Sequence, residues 1–153
     1  MFNFRGSRKP SFRLEGYANA VEQNLQAVGV DVPKARMNLE EGFGWSFRRG
    51  SAAIEVYITH QDNMGYLQVL SPIMHLPTSG LLPLYRRLLE LNLQLTSASL
   101  GVYLDVVYVF AERPLDGLDS VETNTLISQI AFYADELDDK LVGEFGGRLY
   151  GQI

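Results

Sequence analysis

An α+β domain, one antiparallel sheet with three helices laid on it, is the fold class this sequence predicts. Three observations lead there. Apolar side chains recur every three to four residues in three segments, as amphipathic helices require. Between those segments they alternate every second residue, the pattern of strands with one buried face. Short turn-forming stretches, rather than crossover helices, join the alternating segments, so the strands pair as hairpins. The 153 residues suit one domain, and a chain this long buries roughly 70% of its unfolded surface without staples.

The first helix is predicted from about Phe12 to Val28, where Leu14, Tyr17, Ala18, Val21, Leu25 and Val28 form one stripe. Ser11 can cap its start, and Gly29 can end it in the left-handed conformation. From Lys34 to Met74 the period becomes two. Phe43, Trp45 and Phe47 form one run, Ile54, Val56 and Ile58 a second, and Tyr66–Met74 a third. Arg49-Gly50-Ser51 reads as a tight turn, and residues 61–65 as a longer loop that sets His60 opposite Tyr66.

The second helix spans about Leu81 to Thr96, with Thr78 or Ser79 at its start and Pro83 in its first turn, where proline is tolerated. Its apolar positions cover an arc of about 200°, twice that of an ordinary surface helix. Leu81, Leu84, Tyr85, Leu88, Leu91 and Leu95 lie on one side of the arc, and Leu82, Leu89 and Leu93 on the other. One sheet face covers only half of such an arc. Leu82, Leu89 and Leu93 are therefore candidates for a dimer or partner interface. Asn92 falls inside the apolar arc and is expected to be a buried structural polar group, bonded to the backbone of a neighbouring strand or loop.

Two further strands, about Ala98–Tyr103 and Val106–Arg113, turn near Leu104-Asp105. A last helix runs from about Ser120 to Gly143, with Asp119 as its cap and Glu122 reaching back to it. Residues 1–10, with Arg5, Arg8 and Lys9 and no acid, are expected to form a flexible N-terminal arm. Residues 11–153 make the single domain.

The composition excludes several function classes. Net charge is −5, against a nucleic-acid binder, which needs a clustered basic excess. Absence of cysteine removes disulfides, thiolate metal sites and thiol nucleophiles, and fits a cytoplasmic protein. No apolar run approaches the ~20 residues of a spanning helix, so no membrane partner is expected. His60, Asp62 and His75 could be imagined as a metal site, but about 30 Å of strand at 3.3 Å per residue separates the histidines. Gly44-Trp45-Ser46-Phe47-Arg48 approaches a nucleophile elbow but lacks its final glycine and sits in a strand. Asp135 and Asp139 share a helix face that reads as solvated, because Leu137 between them belongs to the buried stripe. No catalytic, metal or cofactor-binding residue is assigned.

Leu88-Leu89-Glu90-Leu91-Asn92, the hairpin leading to Val106-Val107-Tyr108-Val109, and Arg113-Pro114-Leu115-Asp116-Gly117-Leu118 before a long acidic helix together resemble the YbjN-like family, and more narrowly a cyanobacterial branch of it. The resemblance covers roughly residues 12–147. It implies the type III secretion chaperone-like fold, in the order α-β-β-β-α-β-β-α, and a homodimer without catalytic residues or cofactors. The expected function is a non-enzymatic, chaperone-like protein-binding module of unassigned biological role. The alternative is a regulatory domain that binds a small molecule in a pocket between sheet and helices.

Overall fold

The computed structural model describes residues 13–151. The arm expected at residues 1–10, and Ser11 as a cap, lie outside them. The chain runs α1 (Arg13–Ala27), α2 (Val32–Ala35), β1 (Phe43–Arg49), β2 (Ala52–Gln61), β3 (Met64–His75), α3 (Leu81–Asn92), β4 (Ser99–Tyr103), β5 (Val106–Pro114), α4 (Ser120–Phe145) and β6 (Arg148–Leu149). The strands form one antiparallel sheet in the order β1-β2-β3-β5-β4, with β6 beside β3. This is the α+β class and the element order that periodicity predicts. A fourth helix enters only as the single turn α2, capped by Asp31, whose side chain accepts from the Lys34 N–H.

Alternation along each strand sorts the side chains onto two faces. Ile54, Val56, Ile58, Leu67, Val69, Val107 and Val109 point to the helices and join Leu25, Ile127, Ile130 and Leu141 in one core. Burying each such side chain contributes about 1.5–3 kcal/mol, so these layers dominate the stability. The opposite face carries a second, smaller cluster, in which Tyr57 and Leu70 are buried beneath Met37, Leu39, Tyr108 and Phe110.

The β2–β3 connection departs from the sequence expectation. Its turn is the pair Asp62-Asn63, both at positive φ (49° and 67°), not a loop over residues 61–65. His60 therefore pairs with Gly65 and not with Tyr66. The shift of one residue has a physical cause. It sets Val56 opposite Val69 and Ile58 opposite Leu67, whereas the expected register turns one member of each pair away from the core. Asp and Asn tolerate the left-handed conformation that such two-residue turns need.

The helix ends hold two further corrections. Neither Thr78 nor Ser79 caps α3; Gly80 precedes it at φ 72°, and no side chain bonds its first turn. Its regular bonding stops at Asn92, four residues before Thr96. At α4 the cap is half as expected. Asp119 accepts the Glu122 N–H at 2.8 Å, but the Glu122 carboxylate takes Arg113 Nε at 2.6 Å in place of the cap backbone. A charged donor outbids a neutral backbone N–H for that carboxylate.

Candidate functional site

One ionic hub joins α1, α2 and β1. Trp45 is 1% exposed, so its ring N–H must find an acceptor. It donates to Glu22 Oε1 at 3.1 Å. The same carboxylate receives Arg36 Nε at 2.7 Å and Arg36 Nη2 at 2.9 Å, a bidentate fork that fixes both partners. Hydrogen bonding to Arg36 holds the Glu22 carboxyl below its ordinary range, against the opposing effect of burial and with help from Trp45. Clefts of about 450 Å³ and about 500 Å³ flank this hub along α1, with Asn19 lining both.

Beside the hub runs the outer edge of β1. Arg36 bridges to Trp45, and the Met37 N–H donates to the Gly44 carbonyl at 2.9 Å. The backbone groups of Gly44, and by alternation those of Ser46 and Arg48, therefore point away from β2. Among the described residues, cover is limited to the start of this edge. From Ser46 to Arg48 it meets no further strand among the described residues. Gly44 is required here, because a Cβ would stand 2.8 Å from the Tyr57 ring and 3.0 Å from Leu39. An open edge flanked by a cleft can accept another chain by backbone pairing.

At the other end of the sheet, α3 buries Leu84, Leu88 and Leu91. Leu82, Leu89 and Leu93 are 80%, 69% and 90% exposed. Neither α1 nor α4 of the same chain covers them. Beyond Asn92, which is half-buried and bonded to the backbone of Leu100 in β4, β4 and its turn expose Val102, Tyr103 and Leu104. The leucine stripe and the β4 side chains make a face that is apolar on two adjoining elements.

The imagined catalytic constellations do not assemble. Gly65 and His75, the β3 ends nearest the two histidines, are ten residues apart, about 33 Å at ~3.3 Å each. No group of three metal-ligating side chains occurs among the described residues. Asp135 accepts the Ser51 hydroxyl, which ties the β1–β2 turn to α4. Ser46 is an exposed strand residue of β1. The Glu22–Arg36–Trp45 hub was invisible in the sequence, because its members lie 14 and 23 residues apart and no local pattern links them.

The comparisons with known proteins place this architecture. The family model described as T3SS (YopN, CesT) and YbjN peptide-binding chaperone 1 matches residues 18–152. The chain belongs to this family. No curated protein matches it. Among solved structures, a chain of the HopA1-SchA chaperone-effector complex superimposes with a TM-score of 0.61 at 8% identity. The match covers 85% of this chain and 98% of that one, and at that identity it shows the shared fold. Membership agrees with the resemblance drawn from Asn92 and from the Pro114–Leu118 stretch. No helix among the described residues is long and apolar enough to cross a membrane.

Proposed function

We propose that this family member is a non-catalytic, chaperone-like module that binds an extended segment of a partner protein along the outer edge of β1. The observation that carries the reading is the open backbone edge from Ser46 to Arg48 beside the cleft under α1. Strand addition supplies affinity through main-chain bonds, and the cleft selects side chains. The family's description as peptide-binding chaperones supports the same reading. A single domain over residues 11–153, acting in the cytoplasm, completes it.

The active form is proposed to be a homodimer closed through Leu82, Leu89 and Leu93. Burying three leucines contributes on the order of 5 kcal/mol before association costs, and a two-fold contact lets one stripe cover its own copy.

Photo-cross-linking tests the binding edge. A benzoylphenylalanine at Ser46 should cross-link a protein at near-stoichiometric yield in native lysate, whereas the same probe at Glu136 on the outer face of α4 should not. Arg48→Pro removes an outward N–H beyond the Arg36–Trp45 bridge without touching the β1–β2 bonds, so it should abolish capture. Equal cross-linking at both probe positions would refute the proposal.

A further inference from the structure

We propose that the groove between α1 and α2 clamps the main chain of the extended partner segment, the side-chain amides of Asn19, Gln23 and Gln26 bonding its peptide groups whatever side chains it carries. The inference rests on the peptide-binding reading and deepens it with a second contact, one that reads peptide groups and not sequence.

Helix periodicity sets the amides in a row. Asn19, Gln23 and Gln26 stand at i, i+4 and i+7, so they share one face of α1, and all three are exposed. Their face forms one wall of the cleft of about 500 Å³, which Val30 before α2 and Val32 and Pro33 within it also line. A volume of this size lies within the range of ligand sites. Asn19 lines the neighbouring cleft too, which reaches Gly44 and Trp45 of β1. A segment laid on the β1 edge therefore has a continuous path past the ionic hub onto α1.

The chemistry of the walls selects the occupant. Each charged side chain on this cleft has its counter-charge: Glu22 is bridged to Arg36 at 2.7 Å, and Asp31 to Lys34 at 3.5 Å. An ionic ligand would have to break one of these pairs. Amide and apolar surface is what remains. Tyr17, Glu22 and Asn24 of α1 bond other parts of the chain, whereas Asn19, Gln23 and Gln26 make no hydrogen bond among the described residues. A side-chain amide offers both donors and an acceptor. The group that answers it in both senses is the peptide unit, with one N–H and one C=O per residue. The spacing agrees. Four residues of helix advance ~6 Å, and two residues of an extended chain ~6.6 Å. Asn19 and Gln23 thus meet alternate residues on one edge of the segment.

NMR titration of the full chain with two neutral decapeptides tests this, one alternating Ser and Val, the other Thr and Ala. Both should shift the side-chain NH2 signals of Asn19, Gln23 and Gln26, with similar affinities. The peptoid isomer of the first carries the same side chains but no main-chain N–H. It should bind about tenfold or more weakly, the loss of one to two neutral hydrogen bonds. Gln23→Glu keeps the shape and the acceptors but loses the NH2 donors. It should weaken peptide binding about fivefold, the worth of one neutral hydrogen bond, with an unchanged thermal midpoint. Equal binding of the peptoid, a response confined to one of the two peptides, or full affinity in Gln23→Glu overturns the proposal. So do the same shifts on concentrating the chain without peptide, since a second copy is then the occupant. Ser46 cross-linking without an α1 response to the peptides refutes this clamp alone. The converse result refutes the edge reading and leaves the clamp.

Discussion

Asn92 holds Leu100 by both of its backbone groups: its Oδ1 accepts the Leu100 N–H at 2.7 Å, and its Nδ2 donates to the Leu100 carbonyl at 3.3 Å. One amide at the end of α3 thus substitutes for a strand partner along the outer edge of β4. Asn92→Ala leaves both groups of Leu100 unmatched, and each half-buried loss costs about 1 kcal/mol or more. Urea denaturation should show a loss of about 2 kcal/mol. Asn92→Asp keeps the acceptor but sets a carboxylate against a carbonyl, so it should not restore the wild-type midpoint.

Leu89→Asp separates association from folding. Leu89 is 69% exposed in the single chain, so a carboxylate there stays in water and the monomer should keep its stability within ~0.5 kcal/mol. Sedimentation velocity should report a dimer for the wild type and a folded monomer for the variant. A wild type that sediments as a monomer at high concentration removes the dimer.

Helix and strand existence was legible because the signals are periodic and long. Leu14, Ala18, Val21 and Leu25 mark α1 from the chain alone, and all four are buried. The misses lie where no period has room to show. The single turn α2 and the two-residue β6 are below the length that periodicity resolves. The β2–β3 register turned on whether Asp62-Asn63 was the whole turn, which side-chain alternation on both strands decides only when they are paired. The exposed stripe of Leu82, Leu89 and Leu93 followed from arc width. The Glu22–Arg36–Trp45 hub and the Gln68–Glu112 bond did not, since both join residues that only the folded chain brings together.

Two carboxylates should tilt the pH dependence in opposite directions. Arg36 holds the Glu22 pKa in the folded state below the 4.5 of the free group, so its stabilisation is full above that value and is lost as pH falls through the folded value. Glu22→Gln should therefore cost stability at pH 7 and much less at pH 3. Burial raises Asp138 above 3.8, and Asp139 and Asp135 add to it. Its penalty is absent below that pH and sets in as pH rises through the folded value. Asp138→Asn, which keeps the Oδ1 acceptor for the Asp139 N–H, should be more stable than wild type at pH 7 and no different at pH 3. Paired urea curves at the two pH values read both.

Gly147 governs the attachment of β6. It sits at φ +85°, and a Cβ there would stand 2.4 Å from the His75 carbonyl oxygen and 3.1 Å from Met74. The carbonyl is backbone and cannot give way, and a left-handed alanine adds ~1 kcal/mol or more of strain. Gly147→Ala should therefore break the pairing of Met74 with Leu149 and His75 with Arg148. It should also break the bond from the Tyr150 N–H to the Ile73 carbonyl and the stacking of Tyr150 on His75, whose ring centroids are 5.4 Å apart. Hydrogen exchange should quicken at Tyr150 and at the β6 amides, while the β2–β3 amides from Val56 to Leu67 keep their protection, because β6 adds only two residues to the sheet. Gly143→Ala in α4 is the matched control. A Cβ there meets nothing within 4 Å, and alanine favours a helix over glycine by up to ~1 kcal/mol, so that variant should be at least as stable as wild type with unchanged exchange at Tyr150.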